Sequence, residues 1–278
     1  MSNIQLQDLD WGILWQQANN KKSRRRKDSA DWDKKAGSFA QRTTHSVYTE
    51  KFLELLSPKQ DWSVLDVGCG PGTLALPVAA RTRQVTAIDF SKNMLKILAK
   101  RAAEQGQNNI STHQLSWEDD WARHGIKPHD VAIASRSLAV SDLKKALTLL
   151  NSYATKRVCI TDRVKYGPKD PDAFAAVGRE LADGPDYIYT VNLLYQMGIL
   201  PTVTYIRLEK TLEYTSFAEA FAGYSWMFRD LRQHEEDRLK KYILSIATIT
   251  EDGTVSVHRG YVPTWAYISW NPADFAEI

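Results

Sequence analysis

Residues 64–73 read Val64-Leu65-Asp66-Val67-Gly68-Cys69-Gly70-Pro71-Gly72-Thr73. The short apolar run with a carboxylate near its end indicates a strand, and the glycine-dense segment after it indicates a turn that leads into a helix. Glycine is needed in such a turn because its backbone adopts positive φ and approaches a ligand without an intervening Cβ. The stretch therefore predicts a strand, a ligand-binding turn and a helix in succession.

The glycine spacing and the charge of Asp66 limit the kind of ligand. Dinucleotide-binding turns hold a pyrophosphate and follow the pattern G-x-G-x-x-G. This chain has G-x-G-x-G, with Asp66 two residues before the first glycine. A carboxylate at that position repels a phosphate and attracts ammonium or sulfonium groups. The pattern favours a cationic ligand over a dinucleotide, and a turn that binds no cofactor is the other interpretation.

A second strand is predicted at Gln84–Asp89, with the sequence Q-V-T-A-I-D. Asp89 lies about twenty residues beyond the first glycine, where doubly wound folds place the carboxylate that binds ribose hydroxyls. Ser91 is a suitable cap for a helix over residues 92–105.

The motifs V-L-D-V-G-C-G-P-G and V-T-A-I-D-F-S resemble the first two motifs of class I S-adenosylmethionine-dependent methyltransferases. The similarity is strongest to the small-molecule branch that includes quinone-biosynthesis methyltransferases, and it covers residues 32–162. It implies an α/β fold with a doubly wound, seven-stranded Rossmann-like sheet and an N-terminal helical lid. It also implies S-adenosyl-L-methionine as cofactor and methyl transfer as activity.

The resemblance assigns roles to individual positions. Gly68 and Gly70 are expected beside the amino-acid part of the cofactor, with Asp66 near its ammonium group. Asp89 is expected on the ribose. The full set of cofactor-binding residues that we expect is Asp66, Gly68, Gly70, Asp89, Phe90, Met94, Trp117, Glu118, Ser135 and Phe39.

Several of these positions have competing interpretations. Phe90 and Met94 are expected to pack on the adenine. After the third strand the family often has an acidic residue followed by a small one, and this chain has Ser116-Trp117-Glu118-Asp119 instead. The adenine contact is therefore either Glu118 or the backbone around Trp117, and Trp117 fits core packing equally well. Phe39 lies on the predicted lid helix, where core packing would also explain it.

Arg136 is unusual where it stands, directly after the fourth strand. A guanidinium near a sulfonium is unfavourable unless a carboxylate compensates for it. Arg136 is therefore interpreted as binding an anionic group of the substrate or the methionine carboxylate. A surface ion pair is the alternative. No general base can be identified from the spacing, so the catalytic residues stay unknown.

Four segments are predicted along the chain. Residues 1–30 form an N-terminal arm, and residues 31–162 form the cofactor-binding core, in which strands and helices alternate as βαβ units. Residues 163–201 form an inserted helical segment after strand five, with helices around 171–183 and 186–197. It serves either as a substrate lid or as a packing or dimer element. Residues 202–278 complete the sheet, with a helix over 229–247 and strands at 254–257 and 261–269.

Composition excludes several classes of protein. The 278 residues are 43% hydrophobic and 25% charged, which is ordinary for a globular protein. No window approaches the roughly 20 apolar residues of a membrane span, and the first residues lack a signal pattern. Two cysteines form neither a disulfide framework nor a zinc motif. We expect a cytoplasmic protein without a metal site.

The choice of methyl acceptor stays open at this level. Residues 21–27 carry six positive charges in seven residues, within a net charge of +3. They are either a solvated arm or a contact to phosphate backbones. A small-molecule acceptor is the main hypothesis, with the protein a monomer or homodimer. An RNA or protein methyltransferase guided by this arm, and a non-catalytic S-adenosylmethionine-binding protein, are the alternatives.

Overall fold

The structure is a computed structural model that describes residues 9–20, 28–42, 46–182 and 184–274. The predicted basic cluster at 21–27 and the first eight residues lie outside this part of the chain. The chain divides into two compact units. The core unit comprises Met1–Asp162, Gly184–Ile206 and Ala266–Ile278, and the insert unit comprises Arg163–Asp183 and Arg207–Trp265.

The strands of the described residues are β1 Ser63–Val67, β2 Gln84–Asp89, β3 Ile110–Gln114, β4 His129–Ser135, β5 Ala154–Arg163, β6 Thr202–Arg207, β7 Thr211–Tyr214, β8 Ala247–Ile249, β9 Val255–His258 and β10 Thr264–Trp270. The helices are α1 Trp11–Asn20, α2 Ser29–Arg42, α3 Val47–Leu56, α4 Ala75–Ala79, α5 Lys92–Glu104, α6 Leu143–Ser152, α7 Pro171–Val177, α8 Tyr187–Gln196, α9 Phe217–Ser225 and α10 Gln233–Ser245. None of the described helices is long and apolar enough to cross a membrane.

Seven strands form one sheet in the order β3-β2-β1-β4-β5-β10-β6. The five strands β3, β2, β1, β4 and β5 are parallel to one another. Every residue of β1 is buried, as expected for a central parallel strand that is covered on both faces. The order reverses at β1 and β4, and a ligand site is expected outside the carboxyl ends of the strands at such a switch point. The predicted seven-stranded doubly wound sheet is confirmed.

Local sequence explains where the helices of the core begin and end. The Ser91 hydroxyl accepts a hydrogen bond from the Met94 amide at 3.2 Å and starts α5, as predicted. The Asp142 carboxylate starts α6 by accepting from the Lys145 amide at 2.9 Å. The sequence predicts a helix over residues 73–81 after the glycine turn, and the observed α4 is shorter. It contains Pro77, which lacks an amide hydrogen.

The insert unit contains the three-stranded antiparallel sheet β7-β9-β8 together with α7, α9 and α10. Phe174 and Phe228 stack in its core with ring centroids 4.5 Å apart. Arg179 forms a two-pronged ion pair with Glu235, at 2.7 and 2.6 Å. The hydrogen bonds that Glu235 accepts from Arg179 and from the Arg232 amide, together with the charge of Arg179, lower the pKa of Glu235 to about 2.

The division of the chain differs from the predicted segment boundaries. Residues 163–183 fold with 207–265, whereas 184–206 fold with the core unit. Helix α8 belongs to the core because the Thr190 hydroxyl donates to Asp162 at 2.7 Å and Tyr189 packs edge-on against Trp11 at 5.7 Å. The predicted N-terminal arm likewise contains α1, whose Trp15 is buried.

Two predictions for the C-terminal part need correction. The helix predicted over 229–247 begins at Gln233, and Ala247 already starts β8. Residues 254–257 lie in β9, which pairs with β7 and β8 and not with the seven-stranded sheet. Helix α9 was not predicted at all.

Candidate functional site

A cavity of about 260 Å³ opens at the carboxyl ends of the parallel strands, within the core unit. Nine of the ten residues predicted to bind a cofactor line it: Asp66, Gly68, Gly70, Asp89, Phe90, Met94, Trp117, Glu118 and Ser135. The tenth, Phe39, belongs to α2, and its side chain lies outside the described part of the structure. The cavity brings the predicted residues together, and their role as cofactor contacts stays a prediction.

The glycines of the turn are required by conformation and by close packing. Gly68, Gly70 and Gly72 have φ values of 71°, 55° and 88°, in the left-handed region. A Cβ on Gly68 would lie 2.4 Å from the Cβ of Ser137. A Cβ on Gly72 would lie 2.5 Å from the Leu98 side chain of α5. Gly68 thus lets the loop after β4 approach the turn closely, and Gly72 lets α5 pack against the turn.

Asp66 is a buried carboxylate in the cavity wall, with 2% of its surface exposed. Its Oδ2 atom has no hydrogen-bond partner among the described residues. Burial, and then the negative charge of Asp89, raises the pKa of Asp66 to about 7. A buried carboxylate with an unsatisfied oxygen is costly on its own. The arrangement is suited to a positively charged hydrogen-bond donor from a ligand.

Asp89 ends β2 and is oriented by the backbone of the turn. One carboxylate oxygen accepts from the Gly70 amide at 2.9 Å, and the other accepts from the Ser91 amide at 2.8 Å. Burial raises the pKa of Asp89, and these two hydrogen bonds oppose the shift. Each carboxylate oxygen keeps a further lone pair for a ligand hydroxyl.

Aromatic and apolar side chains form the end of the cavity beside β2 and β3. Trp117 donates a hydrogen bond from its indole nitrogen to the Ser137 carbonyl at 3.2 Å. Its ring lies 5.8 Å from that of Trp121. Met94 is buried, whereas Phe90 and Trp117 are partly exposed to the cavity. Glu118 is exposed and accepts from the Ser141 hydroxyl at 3.4 Å. Trp117 therefore joins two loops and also forms part of the wall.

A hydrogen-bonded cluster lies at the other end, beside β4 and β5. The Tyr48 hydroxyl is 2.6 Å from the hydroxyls of both Ser135 and Thr161. The Arg136 guanidinium lies over the Tyr48 ring, 4.2 Å from its centroid. The Arg136 amide donates to the Thr161 hydroxyl at 3.1 Å. This holds Arg136 at a φ of 56°, in the left-handed region that a non-glycine residue seldom adopts.

Comparison with known proteins assigns the family. The family described as "Methyltransferase domain" matches residues 64–155. An uncharacterized protein of Haemophilus influenzae is 34% identical over 243 residues, which cover 86% of this chain and 88% of that protein. A solved Bacillus subtilis structure, the YcgJ protein, superposes with a TM-score of 0.53 at 14% identity, covering 81% of this chain and 97% of that one. The chain belongs to the class I S-adenosylmethionine-dependent methyltransferases.

Relatives with named activities match this methyltransferase over short segments. The ubiquinone biosynthesis O-methyltransferase of Paracidovorax citrulli is 39% identical over 67 residues, which is 24% of this chain and 28% of that protein. A 23S rRNA (uracil(1939)-C(5))-methyltransferase of Pseudomonas fluorescens is 30% identical over 127 residues, which is 41% of this chain and 28% of that protein. Segments of this length do not decide between the two kinds of acceptor.

The methyltransferase has a helix over its cavity at the position predicted for a lid. Trp32 of α2 lines the cavity. Asp33 fastens α2 to the start of α5, because its Oδ1 accepts from the Ser91 hydroxyl at 2.5 Å and from the Asn93 amide at 3.0 Å. These hydrogen bonds lower the pKa of Asp33.

Three residues of the site escaped the sequence analysis. Ser137 holds its loop against the turn, donating from its hydroxyl to the Val67 carbonyl at 2.7 Å. Tyr48 is 1% exposed, and Thr161 is fully buried. Apolar residues at helical spacing over 44–56 predict that Tyr48 lies on the buried face of a helix. They do not predict which groups its hydroxyl contacts. Of this cluster, the sequence alone had pointed only to Ser135 and Arg136.

Proposed function

We propose that this methyltransferase transfers the methyl group of S-adenosylmethionine to a small-molecule acceptor by in-line displacement. The main support is the unpartnered Asp66 oxygen inside a cavity of about 260 Å³. The volume lies just below the range of about 300–1,000 Å³ that is typical of small-molecule sites. It suits a donor and a compact acceptor better than an extended polymer.

The residues that line the cavity fit the parts of S-adenosylmethionine. We assign Asp66 to the ammonium group, because its oxygen lacks a donor and Gly68 and Gly70 beside it let a ligand approach the backbone closely. Asp89 is assigned to the ribose, because its oxygens are oriented by amides and still accept hydroxyl hydrogens. Phe90, Met94 and Trp117 form the apolar wall that would hold the adenine, with Glu118 at its rim.

When bound, S-adenosylmethionine supplies an electrophilic methyl carbon: the acceptor's lone pair forms the new bond as the carbon–sulfur bond breaks with its electrons going to sulfur, and S-adenosylhomocysteine leaves. The protein's contribution is to position the acceptor and to exclude water. Ser135 ends β4 beside the assigned ammonium site and is held by the Tyr48 hydroxyl. It would contact both the donor and the acceptor.

The described cavity wall offers no general base beyond the carboxylates Asp66, Asp89 and Glu118. Asp66 and Asp89 are assigned to the donor, and Glu118 lies beside the proposed adenine position. Burial raises the pKa of the Cys69 thiol well above its usual range and also raises the pKa of the nearby Tyr48 phenol. Both groups stay protonated at neutral pH. The acceptor we propose therefore carries an atom that is already nucleophilic, such as a phenolate, a thiolate or a stabilised carbanion.

The experiment is methyl incorporation from labelled S-adenosylmethionine in a cell extract separated into small-molecule, RNA and protein fractions. We expect label in the small-molecule fraction with the wild-type enzyme and no label with Asp66→Asn. A variant in which residues 21–27 are replaced by serine should retain the activity. Label in RNA or protein that disappears in this variant would instead support an acceptor recognised by the basic arm. Donor binding with no label in any fraction would support a non-catalytic protein.

A further inference from the structure

The end of the cavity beside β4 and β5 contains an arginine that the donor assignments leave without a role. Asp66, Asp89 and Glu118 supply the negative charge of the cavity wall, and Arg136 is the cation among the described residues that line it. We propose that Arg136 is the specificity-determining residue of the acceptor site and that it binds an anionic group, such as a carboxylate, on the acceptor. This inference rests on the proposed function.

The position of Arg136 across the sheet places it on the acceptor side. Adjacent strands lie in the order β2-β1-β4-β5, and they carry Asp89, Asp66, Ser135 and Thr161 at or near their carboxyl ends. Strands are roughly 5 Å apart, so the β5 end lies roughly 10 Å from the β1 end. Arg136 lies on the β5 side of the β4 end, because its amide donates to Thr161 and its guanidinium lies over the Tyr48 ring. It therefore lies beyond the donor's ammonium site, on the side away from the ribose.

The methionine carboxylate of the donor is the other anion that Arg136 could reach. That carboxylate is attached to the same carbon as the ammonium group assigned to Asp66. An arginine placed for it would lie next to Asp66 and would lower the pKa of that carboxylate. The pKa of Asp66 is instead raised, by burial and by Asp89. This favours the acceptor over the donor carboxylate.

The geometry of Arg136 is that of an arginine fixed for recognition. A guanidinium stacks on an aromatic ring through its face, while its N–H donors lie in its plane. The contact with Tyr48 therefore fixes the position of the guanidinium in the cavity wall. Tyr48 is itself held by Ser135 and Thr161. The left-handed backbone of Arg136 adds to this, because strained conformations persist where the surroundings enforce them and concentrate at functional sites.

The first test separates the donor carboxylate from an acceptor anion. Calorimetry would measure S-adenosylhomocysteine affinity for the wild type, Arg136→Gln and the control Arg157→Gln. Arg157 also lies over an aromatic ring, 5.7 Å from the centroid of Trp62, but it is not part of the cavity wall. We expect all three affinities to agree within twofold. A loss of tenfold or more in Arg136→Gln alone would assign Arg136 to the donor and overturn the proposal.

The second test measures anion recognition without turnover. The protein saturated with S-adenosylhomocysteine would be titrated with benzoate and with benzamide, which have similar shapes and differ in charge. We expect the wild type and Arg157→Gln to bind benzoate at least tenfold more tightly than benzamide, and Arg136→Gln to lose this preference. Equal binding of both probes by the wild type, or an unchanged preference in Arg136→Gln, would overturn the proposal.

The third test examines the natural product of the reaction. Labelled small molecules from the extract experiment would be passed over an anion exchanger at pH 7. We expect the product to be retained, and its formation to fall at least tenfold in Arg136→Gln. Product in the flow-through would overturn the anionic acceptor while leaving methyl transfer to a small molecule intact. Absence of labelled small molecules would refute the proposed function itself.

Discussion

Asp66 and Asp89 lie on adjacent parallel strands, and the charge of Asp89 adds to burial in raising the pKa of Asp66 to about 7. Asp66 pairs in register with Ala87, two residues before Asp89 in β2. Two carboxylates this close are unfavourable in a protein interior unless a cation joins them. The ligand-free protein thus bears an electrostatic cost that a cationic donor would relieve.

Asp66→Asn should stabilise the ligand-free protein at pH 8. A carboxyl whose pKa is about 7 when folded and about 3.8 when unfolded favours folding in its protonated form. The stability it contributes is complete below pH 4 and is lost as pH rises through 7, by on the order of 4 kcal/mol. Denaturant unfolding at pH 4 and pH 8 would check this. A variant that is less stable than the wild type at pH 8 would contradict it.

Donor-product affinity should fall on acidification below pH 7. If the ligand ammonium pairs with ionised Asp66, binding releases the proton that Asp66 carries at low pH. We expect the S-adenosylhomocysteine affinity to drop about tenfold from pH 6 to pH 5. Calorimetry in buffers of different ionisation enthalpy would count the released proton. Asp66→Asn should bind weakly at all pH values, and a wild type with pH-independent affinity would exclude the assigned contact.

Asp89→Ala should weaken cofactor affinity by roughly 1.5–3 kcal/mol, the usual range for hydrogen bonds to a charged group. The control is Asp130→Asn. Asp130 lies near the amino end of β4, whereas the cavity is at the carboxyl end, and its Oδ1 lies 2.8 Å from Lys156 Nζ. Hydrogen bonds from Lys156 and Ser63 lower the pKa of Asp130 to about 2. Loss of the Asp130 charge should therefore reduce stability and leave cofactor affinity unchanged. Calorimetric titration that shows equal affinity for Asp89→Ala and the wild type would remove Asp89 from the site.

Gly72→Ala should be more destabilising than Gly106→Ala. Both glycines have positive φ, at 88° and 65°, so both substitutions incur a backbone cost of about 1 kcal/mol. A Cβ at Gly106 meets nothing within 4 Å, whereas one at Gly72 meets Leu98 at 2.5 Å. Overpacking should add about 1–3 kcal/mol at Gly72 alone. Chemical denaturation would measure the unfolding free energy of both variants. An equal loss in the two would mean that α5 does not pack tightly against the turn.

Asp33→Ala should loosen α2 and weaken donor binding. Its hydrogen bonds to Ser91 and Asn93 lower its pKa, so they stabilise the fold above pH 4 and are lost as pH falls through the lowered value. Hydrogen exchange would show faster opening of α2 in the variant, and calorimetry would show reduced S-adenosylhomocysteine affinity. Lys34 is exposed on the same helix, and Lys34→Ala should change neither the hydrogen exchange of α2 nor the affinity.

The core of the fold and the grouping of the cavity residues that we assign to the donor could be predicted because their signals are local. The glycine spacing, Asp66 and Asp89 all lie within 26 residues, and strand–helix alternation sets the parallel sheet. The alternation predicts strands at 84–89 and 129–135, and β2 and β4 lie at these positions. The alternation predicts the fifth strand at 157–162, whereas β5 begins at Ala154. The first residues of β5 were missed because Thr155 and Lys156 are polar and exposed and give no apolar run.

The part of the cavity that we assign to the acceptor could not be predicted, and neither could the insert unit, because both depend on contacts between distant segments. Tyr48 and Thr161 are 113 residues apart and meet only in the folded chain. The insert unit is assembled from 163–183 and 207–265, with part of the core between them. A change in composition along the chain can mark residue 163 as the start of a new segment. It does not show that the chain leaves this unit at 184 and returns to it at 207.

The contact of Tyr48 with Ser135 and Thr161 has a consequence for engineering. The family match starts at residue 64, so a fragment trimmed to that boundary would retain the glycine turn but lose α2 and α3. It would expose the hydroxyls of Ser135 and Thr161 to solvent and remove the aromatic support beneath Arg136. We expect the smallest catalytically competent piece of this chain to extend upstream of the methyltransferase-domain match, to the start of α2.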